Sequence, residues 1–355
     1  MTHRIVILGA GYAGLTAAKR AARLVRGDIR LTLVNRADEF VERVRLHQLA
    51  VGQHLRGRPL AEVLAGTGVE LVVASVTGID LAAQTVRAGR TIGYDTLVYA
   101  LGSDTDLITV PGAREHAFSL GNADQARRLR ARVAELPDGA VVAVAGGGLT
   151  GIEAASELAE ARPGLLVGLV SDVPAGAWLS DRAQRWLHRS LAEMDIRRHE
   201  GNRITEVGAD GLVLDDNRTL PADLVVWAAG FRVPTLAGES RLAVDGGGRM
   251  IVDDRLRSVS HPTVYGIGDA AAARTRMSCQ TSLPMGQYLA RALAGRTSAP
   301  HRVHYVWQNI SLGRHNGVTQ FTRADDSPVP AVLTGRTSAR FKEAITRAAA
   351  WSAQR

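Results

Sequence analysis

Ile5-Val6-Ile7-Leu8-Gly9-Ala10-Gly11-Tyr12-Ala13-Gly14 and Val141-Val142-Ala143-Val144-Ala145-Gly146-Gly147-Gly148-Leu149-Thr150-Gly151 repeat one pattern. In each, an apolar run enters a glycine-rich turn and continues into an alanine-rich stretch. This reads as a buried parallel strand, a tight turn and a helix start. Such a turn aims backbone N–H groups and the helix's positive end, roughly half a unit charge, at a pyrophosphate. One copy is weak evidence, since glycine-rich turns occur in many folds. Two copies in the same strand–turn–helix context argue for two bound dinucleotides.

Outward from the first cradle, a helix around Leu15–Val25 leads to the strand Ile29–Val34, closed by Asn35 and Arg36. That is where a dinucleotide fold places the group that reads the adenosine ribose. Asn35 can donate and accept hydrogen bonds there, without charge assistance. Phe40–Leu49 reads as helical, and Val69–Ala74, Thr85–Ala88 and Thr96–Ala100 read as strands. The second cradle's strand Leu165–Val170 ends at Ser171-Asp172. Serine there accepts NADH or NADPH, and no arginine follows at once to grip a 2′-phosphate. Leu224–Ala228 runs into Ala229-Gly230-Phe231, echoing Val98–Ser103 with its Leu101-Gly102 turn. Pro262–Asp269 reads as a strand ending in Gly268-Asp269, with Ala270–Ala273 opening a helix. Alternating strands and helices with this duplication predict α/β architecture, with two Rossmann-like dinucleotide-binding domains and a short C-terminal α+β segment. The expected division is 1–108 with 236–298 for the first domain, 109–235 for the second and 299–355 for the tail.

Composition narrows the chemistry. The 355 residues are 46% apolar and 22% charged, ordinary for a globular chain of two or three domains. The net charge is +8, almost all of it arginine, because Lys19 and Lys342 are the only lysines. No arginine run interleaves with aromatics, so no nucleic-acid partner is expected. Cys279 is the only cysteine, which excludes a CxxC pair, an internal disulfide and a cysteine-based zinc site. No metal is expected, and His301 and His304, on a predicted strand, read as packing and surface residues. No run approaches 18 apolar residues, and the apolar N-terminus is the first strand rather than a leader. A cytoplasmic protein is expected, or one peripheral at the inner face of a membrane.

Together these segments resemble the flavoproteins with two dinucleotide-binding domains, pyridine nucleotide-disulfide oxidoreductases in fold but lacking the disulfide. The likeness spans Ile5 to about Leu293. It implies that Gly9, Gly11, Tyr12, Ala13 and Gly14 cradle FAD, with Asn35, Arg36, Arg43 and Gly102 among its contacts. It also implies that Gly268-Asp269 bonds the ribityl chain. By the same likeness Gly146, Gly148, Gly151, Ser171 and Gly230 serve NADH or NADPH. Gly147–Glu153, Gln280 and Gly286-Gln287-Tyr288-Leu289-Ala290 are similar to the type II NADH dehydrogenases, single-subunit NADH:quinone oxidoreductases. That resemblance implies a hydride passing from NAD(P)H to flavin and then reduction of a quinone-type acceptor, with Glu153 and Gln280 as catalytic residues. Glu153 also has a plainer reading, as a first-turn carboxylate stabilising a helix dipole. Arg43, Arg45 and His47 read as a solvated helix face, with quinone contact as the alternative. Phe341, Ile345 and Ala348 share a helical face that packs on the protein's own body or a homodimer partner, or touches a membrane. Two other functions stay open: a reductase of a ferredoxin-like protein, favoured by the basic surface, and a redox-sensing interaction protein similar to apoptosis-inducing factor.

Overall fold

The structure is a computed structural model that describes residues 2–55 and 57–354. Strand β1 (His3–Leu8) passes through its glycine loop into α1 (Tyr12–Leu24), then β2 (Ile29–Asn35), α2 (Leu46–Ala50), β3 (Glu70–Val73) and β4 (Thr96–Tyr99). After β5 (Ala117–Ser119) and α3 (Ala123–Glu135) the theme returns as β6 (Val141–Ala145), a glycine loop and α4 (Leu149–Ala161). There follow β7 (Leu166–Ser171), α5 (Asp181–Glu193), β8 (Arg197–Glu200) and β9 (Leu224–Trp227). The chain then gives β10 (Val264–Gly266), α6 (Cys279–Leu293), β11 (Trp307–Ser311), β12 (Gly317–Thr322), β13 (Pro328–Thr334) and α7 (Gly335–Gln354).

Two five-stranded sheets carry the fold, in the orders β10-β4-β1-β2-β3 and β5-β9-β6-β7-β8. Every pairing in both is parallel. Parallel sheets are covered on both faces, which is why their strands are apolar throughout rather than alternating. In β1, Ile5 and Ile7 enter one core while Val6 and Leu8 enter another on the opposite face. In β6, Val142 and Val144 face one core, and the smaller Ala143 and Ala145 the other. The chain is therefore an α/β protein with two Rossmann-like units. β11, β12 and β13 form an antiparallel sheet, and α7 packs against it and against α1.

The segments around these sheets depart from the sequence reading in three places. Phe40–Leu49 is not one helix but a short strand Glu39–Phe40, a 3-10 turn Arg43–Arg45 and the five-residue α2. Arg43 and Arg45 reach half-buried partners in different directions, and those contacts outweigh local helix propensity. Gly268–Ala270 is a 3-10 turn, and Ala271–Ala272 pairs with Met250–Ile251 as strand, so the next helix waits until Cys279. His301 and His304 lie in an irregular segment before β11, where the His301 ring packs on Tyr288 at 5.0 Å.

Small residues let α6 meet α1 closely. A Cβ on Gly286 would strike the Ala13 carbonyl oxygen and come within 3.0 Å of the Thr16 side chain. The buried Lys19 ammonium on α1 donates to Val63 O and to Gln354 O, tying the end of α7 to the first helix. Gly286→Ala sets two effects against each other. The helix gains about 1 kcal/mol of propensity, while overpacking costs about 1–3 kcal/mol. The expected result is a lowered melting temperature, and an unchanged or raised value would show that the contact relaxes.

Candidate active site

The first cradle is held by backbone contacts that only glycine permits. Gly9 has φ +98°, and a Cβ there would strike Ala100 O; a Cβ on Gly14 would strike Gly9 O. Gly11 differs. Its φ is −71°, and a Cβ there meets nothing within 4 Å. Neither backbone nor packing demands glycine at that point, so its small size leaves room for something outside the protein. Gly11 also caps α1 without a side-chain bond, leaving the first N–H groups available to an anion. The Asn35 amide braces the loop, its oxygen accepting from Ala10 N at 2.9 Å and its nitrogen donating to Ala37 O at 2.8 Å. Arg36 lies at the surface, 3.9 Å from Asp104.

Gly102, Gly268 and Asp269 converge on this cradle. Gly268 has φ +71° and lies against Ala13, and its N–H points to the Met285 sulfur at 3.2 Å. Asp269 accepts from Ser103 Oγ at 2.8 Å, next to the Gly102 turn. Arg43 donates to Ser103 O and Oγ at 2.6 and 2.9 Å and sits 3.6 Å from Asp269. Tyr12 stacks edge-on to Phe40 at 5.3 Å, and its buried hydroxyl has no partner among the described residues.

The second cradle repeats the geometry. Gly146 has φ +115° against Ala228 O, and a Cβ on Gly151 would strike Gly146 O. Gly148, like Gly11, has φ −80° and nothing within 4 Å, and it caps α4 with no side-chain bond. Gly147 packs on Ser171, whose hydroxyl is engaged with Val173 O at 2.7 Å. The exposed Asp172 follows it, and Glu200 stands opposite Ser171 in the sheet. The cradles communicate through the linkers: Asp104–Thr105 pairs antiparallel with Phe231–Arg232, just past Gly230. The Arg43 guanidinium lies 5.3 Å from the Phe231 ring centroid, bridging the two units. An open glycine at each helix start and an orphaned hydroxyl beside the first are features that fit a dinucleotide in each place.

Two and four residues beyond Arg43, Arg45 and His47 join a cluster of charge around Glu153. Glu153 is 7% exposed and sits in the second turn of α4, so it is not a first-turn dipole carboxylate. It accepts from Ser311 N at 3.0 Å, from Ser311 Oγ at 3.2 Å and from Lys342 of α7. His47 Nδ1 is 3.7 Å from Glu153, and its Nε2 is 4.0 Å from Glu157. Arg314 pairs with both Glu157 and Glu343, and Arg45 with Glu42 and Glu343. His47 is therefore buried and Arg45 half-buried in this network, not on the solvated face expected from sequence. Burial and the Lys342, Arg314 and Arg45 cations drive the His47 pKa well below its usual range. The two carboxylates pull the other way; three cations plus desolvation prevail, and His47 is neutral at pH 7. Burial and then Arg45 lower the Lys342 pKa to about 7 against the opposing pull of Glu343, and the direct Glu153 contact adds to that pull.

Lys342 and Ser311 were missed as site residues from sequence, because they reach Glu153 across 189 and 158 positions. One signal was present: lysine is rare in this arginine-rich chain. Gln280 opens α6 and accepts from Arg276 at 3.4 Å, and Arg276 in turn pairs with Asp326. Pro284 withholds the amide that would otherwise bond the Gln280 carbonyl. Cys279 is half-buried, its pKa pushed up to about 11 by burial and Asp269. On α7, Ser338, Thr346, Ala350 and Ala353 form the buried stripe. Phe341 is half-buried against Trp307 and Phe321, whereas Ala348 is exposed. Among the described residues no cluster could hold a metal ion, and no helix is long and apolar enough to cross a membrane.

Comparison with known proteins places this arrangement. A model of the pyridine nucleotide-disulphide oxidoreductase family matches residues 3–286. An NADH dehydrogenase-like protein of Mycobacterium tuberculosis is 34% identical over 319 residues, covering 80% of this chain and 78% of the relative. A type II NADH:quinone oxidoreductase of Staphylococcus haemolyticus is 26% identical, covering 97% of this chain and 94% of its own. In fold, NDH2 of Plasmodium falciparum, solved with NADH, superimposes with a TM-score of 0.84 at 14% identity, covering 99% of this chain and 96% of that one.

The open glycines give a sharp test. Gly11→Ala and Gly148→Ala are expected to leave the ligand-free stability within about 0.5 kcal/mol of wild type. Each is expected to weaken dinucleotide binding at its own cradle only, by about tenfold or more. Titration of each variant with FAD and with NADH reads this directly. Unchanged affinity at the altered cradle would refute the assignment.

Proposed function

The chain belongs to the pyridine nucleotide-disulphide oxidoreductase family, and we propose that it carries electrons from NADH at the second cradle, through FAD at the first, to a quinone-type acceptor. It is an FAD-dependent, NADH dehydrogenase-like enzyme. Bound FAD supplies hydride uptake and two-electron return, and the chain's own residues supply position and protons. Arg43 holds the Ser103–Asp269 pair beneath it and stacks on Phe231, fixing the two units relative to each other. With Cys279 as the only cysteine, no internal dithiol relays electrons.

The observation that carries the acceptor reading is the Glu153–Lys342–Ser311 contact in the charged cluster around α4 and α7. A quinone that gains two electrons must also gain two protons. Lys342 is the proton-bearing group of this cluster, and its Nζ lies 3.0 Å from Ser311 Oγ. Glu153 holds that ammonium in place as its counter-ion, and water re-protonates Lys342 after it gives up its proton and supplies the quinone's second proton. Neutral His47 keeps a buried imidazole against the same carboxylate without adding a competing charge. General acid catalysis of this kind contributes about 10²–10⁴-fold.

Lys342→Met is expected to lower NADH:menadione turnover by about 10²-fold, while anaerobic bleaching of the flavin by NADH stays near the wild-type rate. Stopped-flow of the two half-reactions separates them. Equal loss in both would mean that Lys342 only holds the fold.

Coenzyme choice follows from the acids at the end of β7. Asp172, with Glu200 opposite Ser171, suits a 2′-hydroxyl and repels a 2′-phosphate. NADH is expected to exceed NADPH in kcat/KM by about tenfold or more, and Asp172→Ala to narrow that ratio. A wild-type preference for NADPH would overturn this reading.

A further inference from the structure

We propose that a cleft on the outer face of α6 is a third anion site, built for a phosphate-bearing ligand and separate from both dinucleotide cradles. Its inner wall is Pro284, Gln287, Tyr288 and Arg291, on the side of α6 opposite Gly286, which faces α1. Its outer wall is the segment Arg296–Arg302, and together they enclose about 400 Å³. That is the size of a small-molecule site and more than a single phosphate ion fills.

The wall is fixed by its own bonds. Tyr288 donates to Ala299 O at 2.7 Å, His301 N donates to Asp254 O at 2.6 Å, and Arg296 N donates to Arg291 O at 2.8 Å. The chain turns through Gly295 at φ +65° to make this return. Segment 296–302 is thus held as a wall.

The charges inside set the ligand's chemistry. Arg291, Arg296 and Arg302 all line the cleft, and none has a side-chain hydrogen bond or ion pair among the described residues. Arg45, Arg276 and Arg314, by contrast, each pair with a carboxylate. Asp253 and Asp254 lie close enough to act on the Tyr288 phenol, yet no carboxylate lines the cavity. Three exposed guanidiniums around one concave space without a counter-charge repel one another, and a multiply charged anion relieves that. Planar guanidinium forks match phosphate oxygens, and Gln287 and Thr297 add neutral polar groups. Pro284, Ala299 and Pro300 supply an apolar side for an organic remainder. The shared chemistry is therefore a phosphate ester or polyphosphate, free in solution or carried on a lipid headgroup.

The test uses the FAD-loaded protein with saturating NAD⁺, so that both cradles are filled. Inorganic pyrophosphate is titrated calorimetrically into wild type and into the Arg291→Ala/Arg302→Ala double variant. Vesicles of phosphatidylcholine, with or without phosphatidylglycerol, are floated with each. The double variant is expected to keep wild-type NADH:menadione turnover and to lose about 100-fold in pyrophosphate affinity, or to lose flotation with the phosphatidylglycerol vesicles. Pyrophosphate binding that depends on these arginines identifies a soluble ligand, and flotation alone that depends on them identifies a headgroup. Equal behaviour of the two proteins with both probes, or no binding of either probe by wild type, overturns the site.

Discussion

A carboxylate cannot be buried alone, and Glu153 is buried where the second cradle's helix meets the tail. Its charge is tolerable only because Lys342 and Ser311 come from the C-terminal segment to meet it, with His47 alongside from the first unit. Removing one member of such a pair costs about 3–5 kcal/mol, because the survivor stays dehydrated and unmatched. The requirement therefore binds three distant stretches of chain into one arrangement.

The two lysines stand out against an arginine background. The chain uses arginine for nearly every positive charge. Of its two exceptions, Lys19 is buried and bonds two carbonyls, and Lys342 is half-buried and bonds Glu153 and Ser311. A compact ammonium on a slim stem fits where a planar guanidinium does not. Both sit where α7 joins the rest of the protein, so the tail is anchored at each end of its packed face.

What the sequence made legible was local. The cradles could be read because glycine spacing, a preceding apolar strand and a following helix are neighbours in the chain. The duplicated α/β plan followed from the same signals, and β2, β4, β7 and β9 fall within a residue or two of their expected positions. The charged cluster was hidden because its partners are assembled from opposite ends of the polypeptide. Arg45 and His47 sit at a spacing that suits a wet surface, and nothing near them in sequence announces Glu343 or Glu157. Likewise, Ala270–Ala273 has helix-forming composition, yet a strand partner at Met250–Ile251 claims its backbone first. Tertiary partners decide such short segments.

Cys279 has a practical bearing on how this enzyme withstands its own chemistry. With the thiol pushed up to about 11, only about one molecule in ten thousand carries the reactive thiolate at neutral pH. Peroxide made by a flavin in air, or an alkylating reagent added by an experimenter, thus finds almost no nucleophilic sulfur to attack there. Enzymes that route electrons through paired sulfurs lack that indifference, and here endurance under oxidative stress becomes a matter of how firmly the cofactors are kept.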